Sequence, residues 1–128
     1  MYINIYNIKF QNSKVMRVIK TKHFPFGGYK AINLFGIVFT KGELSNRELN
    51  HEAIHTEQMK EMLYIFFYIW YGIEYLIIRL FHIKQHDAYK DISFEEEAHA
   101  FDNYANYISE RKYYTWTKYL GINSSKTA

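Results

Sequence analysis

The sequence contains no cysteine and only one proline among its 128 residues. The absence of cysteine excludes disulfide bonds and thiolate metal ligands, so a metal would have to be held by His, Asp or Glu. No Pro-, Gly- or Ser-rich linker and no internal repeat divides the chain, whose length suits one hydrophobic core rather than two. We therefore predict a single domain over residues 1–128, with a polar tail at residues 122–128 that frays.

No segment concentrates charge of one sign or has the pattern of a secretory leader. The 16 Lys and Arg and 13 Asp and Glu residues give a net charge of +3 that is spread along the chain, which disfavours binding to nucleic acid. The N-terminal MYINIYNIKF interrupts its apolar residues with Asn and Lys and has no small-residue cleavage site, unlike a signal peptide. We expect a cytoplasmic protein, or one associated with the inner face of the membrane.

Apolar residues are abundant. They make up 48% of the chain, and aromatic residues alone make up 20%, which is typical of folded domains rather than disordered chains. Residues 2–10, 14–21 and 31–40 are rich in Ile, Val, Tyr and Phe, and each predicts a strand. Residues 23–30 hold the only proline and a Gly pair, and they predict a turn. The chain is therefore expected to begin with a short β-sheet.

Helices are predicted after this sheet, which makes the fold class α+β. Ser45 and Glu48 form a capping-box pattern, and from there to Phe81 only Gly72 would interrupt a helix. Such a helix would be roughly 54 Å long, whereas a domain of this size is only about 36 Å across. We therefore expect a break at Gly72, which would give a long apolar helical hairpin. A last helix is predicted to begin at Ser93, with a second capping-box pattern, and to continue through the C-terminal region.

The segment NHEAIHTEQ places His51 and His55 four residues apart on the predicted helix. That spacing brings both imidazoles to one face, where they can share one tetrahedral Zn²⁺ at about 2.0–2.1 Å. Glu52 is rotated by about 100° from His51, so it is poorly placed as a further ligand but can reach a water on the metal as a general base. The competing interpretation is a surface helix with two solvated histidines.

A third ligand has to come from another part of the chain. No HxxGxxH-like extension follows the motif, whereas FEEEAHAFD further along the chain offers carboxylates. On a helical wheel Glu95 and Glu97 flank the apolar stripe, while Glu96 points away from it and is the poorest candidate. Both Glu95 and Glu97 therefore remain possible ligands. His99 and Asp102 share the flank of Glu95, where they can orient metal ligands.

An HExxH motif followed by a helical Glu resembles the gluzincin group of zinc metallopeptidases. NHEAIHTEQ together with ISFEEEAHAFD is similar to short uncharacterised bacterial proteins that carry HExxH and a downstream FExEA motif. The resemblance covers residues 30–120, and it implies a zincin-like fold, Zn²⁺ as cofactor and Glu95 as the third ligand, with Ala98 in register. His99 stands where these proteins usually have Asn or Asp, so Glu97 is kept as the alternative third ligand.

The resemblance implies hydrolysis of peptide bonds in a peptide or protein substrate. Three protein ligands leave one position for water, Glu52 takes its proton, and a further donor stabilises the oxyanion. Tyr89 and His99 are candidates for this donor because they lie near Glu95 in the sequence. The strand at residues 31–40 can bind an extended substrate at its edge or be an ordinary core strand. The alternative is a non-catalytic metal-binding regulatory or membrane-associated protein of the same fold.

Residues 62–83 form one almost uninterrupted apolar run, broken by Glu74, Arg79 and His82. A helix that is apolar on every side has to be buried in protein or lie in lipid. The run is long enough to span a membrane, but the central Gly72 and Glu74 and its four Tyr and one Trp suit a membrane surface better. Burial in the core, a homodimer interface, contact with a membrane surface and a true membrane span all remain open.

Overall fold

The Ile-, Val- and Tyr-rich segments at the start of the chain form a sheet in the computed structural model, which confirms the α+β class. The structure describes residues 4–10, 14–25, 27–81 and 91–120. The four strands are β1 Asn4–Phe10, β2 Lys14–Lys20, β3 Ala31–Leu34 and β4 Ile37–Thr40. Their order in the sheet is β1-β2-β4-β3, so β3 lies at an edge. β2 pairs antiparallel with β1 and parallel with β4, and β3 pairs antiparallel with β4.

The segment predicted as one strand at residues 31–40 is a hairpin, so that prediction was wrong. Phe35 and Gly36 form its two-residue turn, with φ angles of 55° and 87°. Two successive positive φ angles are typical of the type I′ turn, whose twist matches that of paired strands. The Phe35 N–H donates to Tyr68 Oη at 2.8 Å, so a side chain from outside the sheet also holds the turn.

The sheet is followed by two helices of contrasting composition. Helix α1 spans Asn46–Glu61, and its N-cap Ser45 exchanges reciprocal hydrogen bonds with Glu48, which confirms the predicted capping box. Helix α2 spans Ile65–Phe81 and is almost entirely apolar in sequence. The chain bends by 107° between the two helices. The predicted hairpin of two apolar helices is thus replaced by a sharp bend between a polar and an apolar helix.

The break between α1 and α2 lies at residues 62–64 and not at Gly72, where it was wrongly predicted. Leu63 and Tyr64 have left-handed φ angles of 51° and 61°, and the Tyr64 N–H bonds back to the Met59 carbonyl at 2.7 Å. Gly72 lies inside α2, and apart from its chain neighbours and the surrounding helix backbone no atom of the described residues lies within 4 Å of the position that a Cβ would take. One glycine costs a helix only about 1 kcal/mol, so tertiary packing outweighs it.

The C-terminal helix, predicted to be continuous, is divided into three shorter elements. These are α3 Ser93–Phe101, α4 Tyr107–Glu110 and a 3₁₀ helix at Thr115–Tyr119. The predicted capping box at Ser93 is also wrong, because the N-cap is Ile92. The backbone N–H and the hydroxyl of Ser93 instead donate to the buried Glu74 carboxylate, both at 2.7 Å, so α2 fixes the start of α3. The predicted connection with Tyr89 and the tail at residues 122–128 lie outside the described residues.

Helix α1 lies between two apolar clusters. On the sheet side Ile54 packs with Val18 and Val38, and on the other side Met59 packs in a cluster with Phe94. These clusters hold α1 and α3 against each other and against the sheet. Within the described residues no single helix is long and apolar enough to cross a membrane, and α1 and α2 meet that test only jointly, across their 107° bend.

Candidate metal centre

The two histidines of the HExxH motif lie on one face of α1, one turn apart. Their Nε2 atoms are 3.1 Å apart, and their rings meet edge to face with centroids 4.7 Å apart. His55 is buried and His51 is partly buried. The pair therefore faces the protein interior, which does not fit the interpretation as solvated histidines on a surface helix.

Glu95, in the first turn of α3, completes this cluster. Its Oε1 lies 3.1 Å from His55 Nε2, and its Oε2 lies 3.3 Å from His51 Nε2. The edges of a tetrahedron with bonds of about 2.0–2.1 Å are about 3.3–3.4 Å long, so these donor atoms have the spacing of ligands around one Zn²⁺. The structure thus brings together the three residues that were predicted as metal ligands.

The Glu95 carboxylate is a buried acceptor that the described residues satisfy only in part. Its side chain is 4% exposed, and its Oε1 accepts a hydrogen bond from Tyr71 Oη at 3.2 Å. Its Oε2 has no hydrogen-bond partner among the described residues. Leaving such an atom unsatisfied costs about 1–3 kcal/mol, which coordination of a cation would remove. Two imidazoles and a carboxylate are a donor set that fits Zn²⁺.

The second ring nitrogen of His55 is held by Gln58. His55 Nδ1 lies 2.8 Å from Gln58 Oε1, and Gln58 Nε2 donates at 3.0 Å to the Phe94 carbonyl and at 3.0 Å to Glu97. Because the amide oxygen can only accept, Nδ1 is the donor of this bond. In a neutral ring the lone pair is then on Nε2, which is the nitrogen that faces Glu95.

The second ring nitrogen of His51 faces a carboxylate. His51 Nδ1 lies 3.3 Å from Asp102 Oδ2, and Arg47 Nε donates to the other oxygen at 2.9 Å. Asn50 Nδ2 donates to the carbonyls of Asp102 and Tyr104 at 2.9 and 3.1 Å, which ties the turn after α3 to α1. Carboxylate partners of this kind fix the orientation of ligand histidines. Asp102 therefore lies in a position that suits its predicted orienting role.

Glu97, the alternative third ligand, takes part in a different interaction. It is fully buried and forms an ion pair with Arg111, which also pairs with Glu61 at the end of α1. Glu96 is not among the potential metal ligands found in the described residues. The register of α3 therefore turns Glu95 toward the histidines and Glu97 toward a buried arginine.

Glu52 borders the cluster, one residue after His51. Burial raises the pKa of its carboxyl, although the neighbouring His55 and His51 imidazoles act to lower it. Its part of α1 is tied to the edge strand β3, because Asn33 Nδ2 donates to the Glu52 carbonyl at 3.0 Å and to Thr56 Oγ1 at 2.9 Å. A carboxyl with a raised pKa is better suited to accept and return a proton than one with an ordinary pKa.

His55 and Glu95 form a charged pair. Burial alone would lower the pKa of His55, but the Glu95 and Glu52 carboxylates outweigh it and raise the pKa to about 9. Burial alone would raise the pKa of Glu95, but the His55 and His51 imidazoles outweigh it and hold the pKa well below its usual range. The proton on His55 thus supplies a positive charge of the kind that a bound cation would bring to this cluster.

His99 and Tyr89 are the two predicted candidates for stabilising an oxyanion, and only His99 lies within the described residues. His99 is 43% exposed, and its Nε2 lies 3.7 Å from Glu95 Oε2. Its ring centroid lies 4.6 Å from that of His51, so it borders the cluster on a side that solvent can reach. Tyr89 lies outside the described residues, and its predicted role remains a prediction.

Three residues that contact the site were not predicted from the sequence. Gln58 follows His55 by three residues on one helix, so i,i+3 spacing was a usable signal. Tyr71 reaches Glu95 only because the chain bends between α1 and α2, and Asn50 holds a turn that is distant in sequence. No local pattern identifies these two contacts, because both depend on tertiary structure.

Comparisons with known proteins add no further information on this site. No family model, no curated protein and no solved structure matches the chain. The case for a metal centre therefore rests on the geometry and burial of the residues described above, and the gluzincin resemblance stays a prediction.

Proposed function

We propose that this protein is a zinc-dependent metallopeptidase of the gluzincin type, with a zincin-like fold. His51, His55 and Glu95 bind the metal, and Glu52 is the general base. The observation that carries the proposal is the approach of two imidazole nitrogens and a carboxylate to within 3.1–3.3 Å in a buried site. The other nitrogen of each imidazole also has an acceptor, as is usual for metal-binding histidines.

The proposed chemistry divides between the metal and Glu52. A Zn²⁺ held by these residues would supply Lewis acidity, which would lower the pKa of the attacking water toward about 7 and polarise a substrate carbonyl. Glu52 accepts a proton from the attacking water and then returns it to the leaving amine. Because Glu52 follows His51 on α1, the helix backbone holds it next to the two histidine ligands. Burial raises the pKa of Glu52, which supports a role in which the same group first takes up and then gives back a proton.

The edge strand supports an extended peptide as the substrate. β3 lies at one edge of the sheet, and Asn33 joins it to the backbone of Glu52 at 3.0 Å. An edge strand offers backbone N–H and C=O groups with which a peptide can pair as an additional strand. A peptide bound along β3 would therefore run close to the general base.

His99 is the residue best placed to stabilise the oxyanion. Its exposed ring lies beside the carboxylate of Glu95, where its N–H can donate to the oxygen of a bound substrate carbonyl. Tyr71 is less suited to this role, because its hydroxyl already donates to Glu95. We assign Tyr71 to holding that ligand in place.

Glu52→Gln tests the enzymatic part of the proposal. The variant keeps the shape of the side chain and removes the base, so zinc content and melting temperature should stay unchanged. Hydrolysis of a peptide library, followed by mass spectrometry, should fall by about 10²–10⁴-fold relative to zinc-loaded wild type. Glu57→Gln is the matched control, because Glu57 lies on the same helix but pairs with Lys60. It should hydrolyse the library like wild type.

Two results would contradict this proposal. Unchanged hydrolysis by Glu52→Gln would remove Glu52 from the mechanism. Absence of any hydrolysis by zinc-loaded wild type across the library would favour a non-catalytic metal-binding protein over a peptidase.

A further inference from the structure

Helix α2 presents a broad apolar surface that the described part of the chain leaves exposed. Ten of the seventeen exposed large apolar side chains in the described residues belong to this helix. We name its central part the α2 apolar face. It consists of Ile65, Phe66, Ile69, Ile73, Leu76 and Leu80, which are between 47% and 70% exposed.

The size of this surface indicates a binding partner. Ten large side chains that are each about half exposed present on the order of 1,000 Å² of apolar area. The largest apolar patch on a typical soluble monomer is only about 300–600 Å², and larger patches usually contact another protein or a membrane. The α2 surface is therefore larger than an isolated soluble domain normally presents to water.

The width of the surface favours lipid over a second protein helix. At 100° per residue, nine of the ten exposed apolar residues of α2 lie within about 160° of the helix circumference, and Tyr75 lies outside this arc. The stripe with which one helix packs on a protein neighbour is closer to about 100° wide. The opposite side of α2 is fixed to the domain through the buried residues Phe67, Glu74 and Ile78. The helix can therefore lie flat, with one side on the protein and the other in lipid.

The basic residues at the two ends of α2 favour an anionic lipid surface. The only charged residues of α2 are Glu74, which is buried and bonded to Ser93, and Arg79, which is exposed in the last turn. Lys60 is exposed at the other end, just before the bend. Arg79 is thus a cation on a helix with no exposed carboxylate, and Lys60, which pairs with Glu57, adds an ammonium group at the other end; both groups complement anionic headgroups. Trp70, which is 38% exposed, adds an aromatic ring of the kind found at membrane interfaces.

We propose that α2 docks flat on an anionic membrane surface, with the α2 apolar face at the boundary between headgroups and acyl chains. A helix bound in this way enters the membrane by about 5–10 Å without crossing it. The proposal rests on α2 and on the charged residues at its ends, and it does not depend on a bound metal or on peptidase activity. Because Tyr71 of the same helix donates to Glu95, the docked helix also lies against the candidate metal centre.

Flotation of the full chain with lipid vesicles tests this proposal. Vesicles of phosphatidylcholine with phosphatidylglycerol should carry the protein, and phosphatidylcholine alone should carry less. The double variant Leu76→Gln, Leu80→Gln changes two residues that are 60% and 70% exposed, so its fold should survive. Its partition coefficient should fall by about tenfold or more. The matched control Tyr29→Gln, Ile32→Gln changes two exposed side chains in and just before strand β3, away from α2. It should bind the vesicles like wild type.

The proposal is overturned if wild type does not float with anionic vesicles, or if the Leu76→Gln, Leu80→Gln variant floats equally well. A concentration-dependent dimer in sedimentation, disrupted by this variant and accompanied by no vesicle binding, would assign the surface to a second copy of the chain. If circular dichroism shows that the variant is unfolded, quenching of wild-type tryptophan fluorescence by brominated lipids tests instead whether α2 lies in the lipid. The fluorescence of Trp70 should be quenched, whereas that of Trp116 should not, because Trp116 is only 5% exposed. Absence of any quenching would overturn the proposal.

Discussion

His55 Nε2 lies 3.1 Å from Glu95 Oε1, in the buried space between α1 and α3. This contact does not depend on the two residues alone. Glu74 of α2 holds Ser93 at the start of α3, and the ion pair of Glu97 with a buried arginine fixes which side of α3 faces α1. Contacts from α2 and from a buried arginine thus hold the two helices that carry the proposed ligands, as a binding site with three protein ligands requires.

Replacing Glu95 should strongly impair metal binding. Glu95→Gln removes one of three proposed ligands and the only negative charge among them, so the affinity for Zn²⁺ should fall by at least about 100-fold. Competition with a chromophoric chelator measures this affinity. An affinity within a few-fold of wild type would exclude Glu95 as a ligand.

The neighbouring glutamates provide matched controls for this experiment. Glu96→Gln should leave the affinity for Zn²⁺ unchanged. Glu97→Gln breaks a buried ion pair with Arg111, so it should lower the free energy of unfolding by about 3–5 kcal/mol in urea titrations. The folded fraction should still bind Zn²⁺. If Glu97→Gln instead abolished zinc binding in folded protein while Glu95→Gln did not, the assigned register of the third ligand would be wrong.

Tyr71→Phe tests the hydrogen bond to the carboxylate ligand. The Tyr71 hydroxyl donates to Glu95 Oε1 at 3.2 Å, and partners of metal ligands are usually worth about 10–100-fold in metal affinity. We expect Tyr71→Phe to lower the affinity for Zn²⁺ by about tenfold, with no change in the number of ions bound. Tyr75→Phe, one turn further along α2, is the control and should behave like wild type. Equal affinities for the two variants would show that the Tyr71 hydroxyl does not support the ligand.

Zinc binding should displace a proton from the site. The pKa of His55 is raised to about 9 in the metal-free protein, so its ring is protonated at neutral pH and has to lose that proton to coordinate Zn²⁺. The apparent affinity should therefore rise by about tenfold per pH unit up to the pKa of the metal-free ring and level off above it. Calorimetric titrations in buffers with different ionisation enthalpies count the proton. A heat of binding that does not depend on the buffer would show that no proton is released, which would contradict a protonated His55 paired with Glu95.

The parts of the site that follow from local geometry could be predicted from the sequence. The spacing of His51 and His55 places both rings on one face of any helix, and the Ser45–Glu48 capping box marks where that helix begins. The pairing of either histidine with Glu95 rather than Glu97 was not fixed by this local pattern. It depends on an arginine further along the chain, whose position only the tertiary structure reveals.

The bend in the helical region shows the opposite case, in which a local rule was misleading. Glycine was expected to break the helix at Gly72 because it is a weak helix former, but its cost is only about 1 kcal/mol. The observed break at Leu63 and Tyr64 brings Tyr68 to the turn of the β3–β4 hairpin and Tyr71 to Glu95. Several long-range contacts together outweigh one unfavourable residue, and a single sequence does not reveal such contacts.

The central claim of a metal centre is tested most directly by the zinc content of the purified protein. Protein prepared without a metal-affinity tag or chelator should contain about one Zn²⁺ per chain by elemental analysis, after titration with zinc and removal of the excess. The His51→Gln, His55→Gln double variant, handled identically, should retain almost none. Wild type that takes up no zinc, or a double variant that retains as much as wild type, would contradict the account.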